Sequence, residues 1–272
     1  MIFRTLFFIF IYIPVMLVLI PLQMVLRLFG LYWPWLPRVF YSVGCVFLGI
    51  RVKTIGEPLH NRATLLLSNH ISWTDIVAIG SVAEVTFVAK SAVRSTFFVG
   101  FLARLARTLF VDYNRRQDAR RTSQEMAQRL AGNEAVLLFA EGHRDLGTHV
   151  QPFRSALVGA AQAAMEQGGA KDVAIQPVTI AYTHLQGLPV SRNERSGISG
   201  MNARGFRAVV TNLLTSGMKD VTIAFGAPIP LGPETDRKLV TKLAETQVRR
   251  MLVALNRHEK EIPALATATT AG

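Results

Sequence analysis

The segment Ser68-Asn69-His70-Ile71-Ser72-Trp73-Thr74-Asp75 concentrates groups able to move a proton. It ends a short apolar run, Ala63 to Ser68, of the kind a central strand shows when both its faces are covered. Open α/β sheets gather functional groups where such strands end. With His70 in the turn and Asp75 in the first turn of the next helix, the carboxylate can reach one imidazole nitrogen. That contact fixes the tautomer and raises the basicity of the other nitrogen, which can then take a proton from an alcohol. A structural reading competes with this one. Ser72 and Asp75 have the spacing of a capping box that would start the helix at Ser72, leaving His70 as an ordinary turn histidine.

A second cluster, Phe139-Ala140-Glu141-Gly142-His143-Arg144-Asp145, follows the apolar run Ala135 to Ala140. Glycine permits a tight turn from which Glu141 and Arg144 project together. An arginine there suits bidentate capture of a phosphate monoester; the alternative is a structural Glu–Arg pair. Six arginines and two aspartates lie between Arg104 and Arg121. Arg115 and Arg116, close after the strand Thr108–Val111, are the best placed of them to reach a site. The single cysteine, Cys45, excludes an internal disulfide and a cysteine metal cluster. His143 and His149 lie near Glu141, but no His-Glu-x-x-His pattern or third ligand accompanies them, so no metal is expected. Gly197-Ile198-Ser199-Gly200 stops one residue short of a nucleophile elbow, and the Walker pattern is missing.

The elements that must hold these groups begin with an apolar amino end. Its first fifty residues contain Arg4, Arg27 and Arg38 and no lysine or acid, and the 22 residues Thr5 to Leu26 are uncharged. That length can cross a bilayer. The next uncharged stretch, Val39 to Ile50, has 12 residues and is too short to cross alone. Leu31-Tyr32-Trp33-Pro34-Trp35 between them has the composition of a headgroup-level turn. The reading is a hairpin kinked at Pro14 and Pro21 and seated in one leaflet, residues 1–50. An α/β domain over 51–261 and a flexible tail over 262–272 follow.

Strand candidates at 51–55, 63–68, 86–89, 108–111, 135–140, 172–180 and 221–225 alternate with helices at 119–131, 154–166 and 234–256. This predicts an α/β fold with a mixed, partly parallel sheet and helices on its faces. Pro177 assigns its strand to an edge or a bulge. Leu239, Leu243, Val248, Met251, Leu252 and Leu255 should form the buried side of the closing helix. Residues 189–205 read as a long loop. Thirty basic against eighteen acidic residues leave +12, which admits nucleic acid or an anionic membrane as partner. The lipid-like amino end favours the membrane, and no nucleic acid is expected.

Together these residues resemble the glycerolipid acyltransferase family, typified by 1-acyl-glycerol-3-phosphate acyltransferase. Asn69, His70 and Asp75 match its Asn-His-x4-Asp block. Glu141-Gly142-His143-Arg144-Asp145 resembles its Glu-Gly-Thr-Arg-Ser block, and Val173, Pro177 and Val178 match its Val-x-x-x-Pro-Val block. Gly147 and Pro152-Phe153-Arg154-Ser155 are also similar. The likeness covers roughly residues 50 to 230.

The resemblance implies transfer of an acyl group from acyl-CoA or acyl-carrier protein, with no bound cofactor and no acyl-enzyme, to the hydroxyl of 1-acyl-glycerol-3-phosphate. In it His70 is the general base and Asp75 orients it. Asn69, Glu141 and Gly142 organise the site, and Arg144 with Arg115 or Arg116 binds the acceptor. Membrane lipids, the lysolipid and acyl-carrier protein are the implied partners. The implied place is a bacterial cytoplasmic membrane with the catalytic domain facing the cytoplasm.

The departures have chemical meaning. Tyr113 stands where the family has an arginine, while His143 and Asp145 replace its threonine and serine. These changes fit an acceptor headgroup without phosphate, such as the lyso-ornithine lipid used by some bacterial relatives, with Asp145 pairing to its amine. A non-catalytic basic membrane-surface protein is the reading from another class; it would not need the His70–Asp75 pair.

Overall fold

The computed structural model describes residues 6–262 apart from 34, 113–114, 167–172, 201–210, 212–214, 216, 233 and 260. A π-helical turn, Phe8–Tyr12, runs into α1 (Ile13–Leu28), and α2 (Trp35–Leu48) returns alongside. Phe8–Leu28 is long and apolar enough to cross a membrane by length and composition, with a mean hydropathy of 2.5. Apolar side chains on its outer face, Leu17 and Val18 among them, are exposed. Pro21 lies within α1. Rings join the two helices: Phe8 stacks on Phe47 at 4.4 Å between centroids, and Tyr12 lies 5.6 Å from Phe47.

The other face of α2 is docked on the α/β unit. Its partner is α3 (Thr74–Val82), the helix that follows the His70 turn. Cys45 Sγ donates to the Val77 carbonyl at 3.6 Å and Arg38 Nε to the Ser81 carbonyl at 3.2 Å. Gly80 lets the Tyr41 ring lie directly on the α3 backbone, since a Cβ there would collide with ring carbons.

The strands are β1 (Ile50–Ile55), β2 (Thr64–Ser68), β3 (Thr86–Lys90), β4 (Leu109–Val111), β5 (Ala135–Phe139), β6 (Val173–Leu185), β7 (Leu188–Pro189), β8 (Lys219–Phe225) and β9 (Ile229–Leu231). The order is β1-β8-β6-β2-β5-β3-β4, with β7 and β9 also pairing β6. From β6 to β4 every pairing is parallel, while β8 runs antiparallel to β6. The sheet is therefore mixed and largely parallel, flanked by helices. Alternation divides β2 between two cores. Leu65 and Leu67 enter the layer containing α4 (Arg116–Ala131), α5 (Gly159–Glu166) and α6 (Arg237–Asn256), and Leu66 enters the layer under α3.

Several expectations change. Pro177 lies inside a central strand. On one side it sits between the β9 pairing, which ends at Ile175, and the β8 pairing, which starts at Val178, so its missing N–H removes no ladder bond there. Leu239 and Leu243 are exposed and Val240 and Ala244 are buried in their place, while Val248, Met251, Leu252 and Leu255 are buried as expected. Part of the 189–205 stretch is helical: the helix Arg192–Ser199 starts at a capping box in which Ser191 pairs with Glu194. The helix predicted over 154–166 is regular only from Gly159. Ile262, assigned to the tail, is buried in the core; the rest of the tail lies outside the described residues.

Overpacking the α2–α3 contact tests this docking. Gly80→Ala should lower stability by about 1–3 kcal/mol in thermal melts. A second change, Tyr41→Leu, should recover part of the loss.

Candidate active site

Strand β2 is covered on both faces and hydrogen-bonded on both edges, so the chain leaves it at a fixed point. The Asn69 amide then copies a strand pairing: Nδ2 donates to the Ile180 carbonyl at 3.0 Å, and Oδ1 accepts from the Ile180 N–H at 2.9 Å. This clasp ties the turn to β6.

Helix α3 starts at Thr74 rather than Ser72, and half of the expected capping box forms, because the Asp75 carboxylate faces back to the Ser72 N–H while Ser72 Oγ meets the Thr74 N–H instead of that of Asp75. Its Oδ2 accepts from the Ile71 and Ser72 N–H groups at 2.7 and 2.9 Å and meets His70 Nδ1 at 2.9 Å. Oδ1 accepts from the Tyr182 hydroxyl at 2.8 Å, which also lies 2.6 Å from Thr74 Oγ1. A carboxylate ringed by donors has nothing to donate, so Nδ1 carries the imidazole proton and Nε2 presents its lone pair. Burial beside Asp75 pushes the Tyr182 phenol well above its ordinary value, which keeps it a neutral donor. Phe139 stacks on the imidazole at 4.0 Å. The His70 side chain is 17% exposed and that of Asp75 0%, so the pair opens outward only at the histidine.

The second turn supports the first. Glu141 Oε2 accepts from the His70 N–H at 2.7 Å, Oε1 accepts from the Gln151 N–H at 2.8 Å, and the Asp145 N–H donates to the His70 carbonyl at 2.8 Å. Gly142 has φ +74°, and a Cβ there would meet Arg154 Nε at 2.9 Å. Burial raises Glu141 to about 7 although its two amide bonds pull the other way.

Arg144 is half-buried and donates to the Ser199 carbonyl at 3.2 Å. Asp145 is turned into its own loop: Leu146 N–H and Gln151 Nε2 donate to it at 2.6 and 3.0 Å, and His149 lies 3.7 Å away. His143 is exposed. Arg115 is 76% exposed and points to Asp112 at 3.6 Å. Arg116 opens α4, and Tyr113 lies outside the described residues. Asn69, His70, Asp75, Glu141 and Gly142 thus form one unit with Arg144 and Asp145 in the adjoining loop, whereas Arg115 makes no contact with it. Among the described residues no three His, Cys, Asp or Glu side chains cluster as metal ligands.

Tyr182 and Gln151 escaped the sequence reading, which named Phe139 and Arg154 only as members of longer blocks. Tyr182 lies in an apolar strand, and Gln151 follows the second turn at a distance no local pattern marks.

The acyltransferase family model matches residues 50–181. The lyso-ornithine lipid O-acyltransferase of Brucella abortus (strain 2308) is 39% identical over 217 residues, 80% of this chain and 81% of that protein. The chain belongs to the glycerolipid acyltransferase family. As a member it is an acyltransferase. The 1-acyl-sn-glycerol-3-phosphate acyltransferase of Neisseria gonorrhoeae is 31% identical over 118 residues, 43% of this chain and 45% of that protein. The crystal structure of the 1-acyl-sn-glycerophosphate (LPA) acyltransferase PlsC from Thermotoga maritima superposes with a TM-score of 0.63 at 21% identity. It covers 93% of this chain and 95% of that one, a likeness of fold.

The raised Glu141 value gives this acyltransferase a pH signature. The fold holds there a proton that the unfolded chain releases near 4.5. Stability from this group is therefore full below about 4.5 and is lost as pH rises through about 7. Melting temperatures should fall between about pH 5 and about pH 8. Glu141→Gln should flatten that slope while lowering stability by about 1–3 kcal/mol, because one backbone N–H then faces an amide NH2.

Proposed function

We propose that this acyltransferase moves a fatty acyl group from a soluble thioester, acyl-CoA or acyl-carrier protein, to the free hydroxyl of a lyso-ornithine lipid. The carrying observation is the His70–Asp75 pair, with Nδ1 held at 2.9 Å by a carboxylate that four donors surround. His70 Nε2 takes the acceptor's hydroxyl proton as its oxygen attacks the thioester carbonyl. The new C–O bond forms, the C–S bond breaks, and the imidazolium returns the proton to the departing thiolate. Asp75 stabilises the imidazolium, Tyr182 fixes Asp75, and Glu141 holds the His70 backbone, all positioning roles.

The acceptor assignment moves away from 1-acyl-glycerol-3-phosphate. The relative named for lyso-ornithine lipid aligns over 80% of the chain and the Neisseria relative over 43%. Tyr113 in the place of a family arginine agrees with that preference. Acylated ornithine carries a carboxylate that Arg144 can hold. Asp145, already bonded within its loop, is a poor partner for the amine. The exposed apolar face of α1 seats the enzyme in the cytoplasmic leaflet of a bacterial membrane, where a membrane-held acceptor and a soluble donor can meet.

Labelled acyl transfer by purified membranes, with lyso-ornithine lipid and lysophosphatidic acid offered in parallel, tests the reading. His70→Ala should remove about 10³-fold of the rate. Tyr182→Phe should cost about tenfold in kcat with little change in KM, since it loosens only the orientation of Asp75. His70-dependent product from lysophosphatidic acid alone would refute the acceptor assignment, and none from either would refute both.

A further inference from the structure

A cleft of about 640 Å³ runs along β4, the strand that ends the sheet. No residue of the His70 or Glu141 turns lines it. Six arginines do: Arg27 from the end of α1, Arg94, Arg104 and Arg107 from the chain before β4, and Arg121 and Arg129 from α4. Neighbouring guanidinium groups are tethered through neutral carbonyls. Arg27 donates to the Arg104 carbonyl at 2.9 Å, and Arg104 to the Arg94 carbonyl at 3.1 Å. Two carboxylates answer the six charges. Glu134 takes both Arg107 and Arg129, and Glu125 takes Arg121. Among the described residues, Arg27, Arg94 and Arg104 form no ion pair. Like charges held this close repel unless an anion joins them.

The surroundings of the cleft identify the anion's carrier. Met24 and Arg27 bring the membrane helix into its wall, and Leu28 and Phe29, next along the chain, are 84% and 75% exposed. Arg107 lies over the Tyr32 ring at 4.6 Å, and the adjoining Trp33 and Trp35 stack on each other, half-exposed. Tryptophans and a tyrosine beside arginines mark headgroup depth. We infer that this cleft binds the phosphodiester headgroup of an anionic bilayer phospholipid, a lipid that is neither acceptor nor donor in the reaction. Such a site sets the depth and tilt at which the hairpin holds the catalytic domain. It also draws the enzyme to anionic membrane.

The full chain should bind vesicles of phosphatidylcholine with one-third phosphatidylglycerol about 10²-fold more tightly than phosphatidylcholine alone. The variant Arg94→Gln/Arg104→Gln/Arg121→Gln should lose most of that preference. It should still float with neutral vesicles through α1, and it should keep its basal acyl transfer in detergent, which also verifies folding. Lysines at the same three positions should retain the preference. Short-chain phosphatidylglycerol should raise the melting temperature of the wild type and not of the glutamine variant, whereas inorganic phosphate should raise neither. An unchanged preference in the glutamine variant would overturn the inference. So would equal stabilisation by inorganic phosphate, which would make the cleft a free-anion site. A raised donor KM with lipid preference intact would also overturn it, marking the cleft as a docking surface for the soluble donor.

Discussion

Everything at this site depends on a buried carboxylate having enough donors. Asp75 is wholly buried, and an ionised carboxyl without partners in that place would cost several kcal/mol. Four groups answer it: two backbone N–H groups, the imidazole and a phenol. The same bonds that make burial tolerable curl the chain from His70 to Ser72 around the carboxylate and leave the imidazole one orientation. Stability of the turn and orientation of the imidazole are one arrangement.

That arrangement reaches into three strands. Asn69 clasps Ile180 of β6, Glu141 beyond β5 holds the His70 amide, and Phe139 of β5 covers the imidazole face. The parallel pairings of β2 with β5 and with β6 bring these groups to the same level. A shift of one residue in either register would turn every contact to the other face of the sheet.

The amino-terminal helices join the catalytic unit to its setting. Helix α2 has one face among the rings of the hairpin and the other on α3, the helix that carries Asp75. The hairpin is therefore packed directly against the site's own helix. The six arginines along β4 stand beside the end of α1, so charge and apolar surface lie side by side.

Much was legible because it is local. An apolar run reads as a buried strand whatever its neighbours, 22 uncharged residues read as lipid-compatible, and the His70 to Asp75 interval lets a short turn close on itself. The resemblance to the acyltransferase family rests on such local blocks. What sequence reading missed depends on residues far apart in the chain. Tyr182 donates across 107 positions, and in sequence it is one aromatic residue in a strand. Pro177 signals an edge strand until the change of partner from β9 to β8 supplies the place where its missing N–H is harmless. The first half of α6 buries Val240 and Ala244, small enough for close packing, rather than Leu239 and Leu243. Sequence alone determined which groups could do chemistry and which segments could bury or meet lipid, because those follow from side-chain type and spacing. Only the tertiary structure decided that Asp75 points back to His70, and that a tyrosine on β6 completes its ring of donors. Both follow from satisfying one buried charge, the first with groups of its own turn and the second with a group that only the sheet brings within reach.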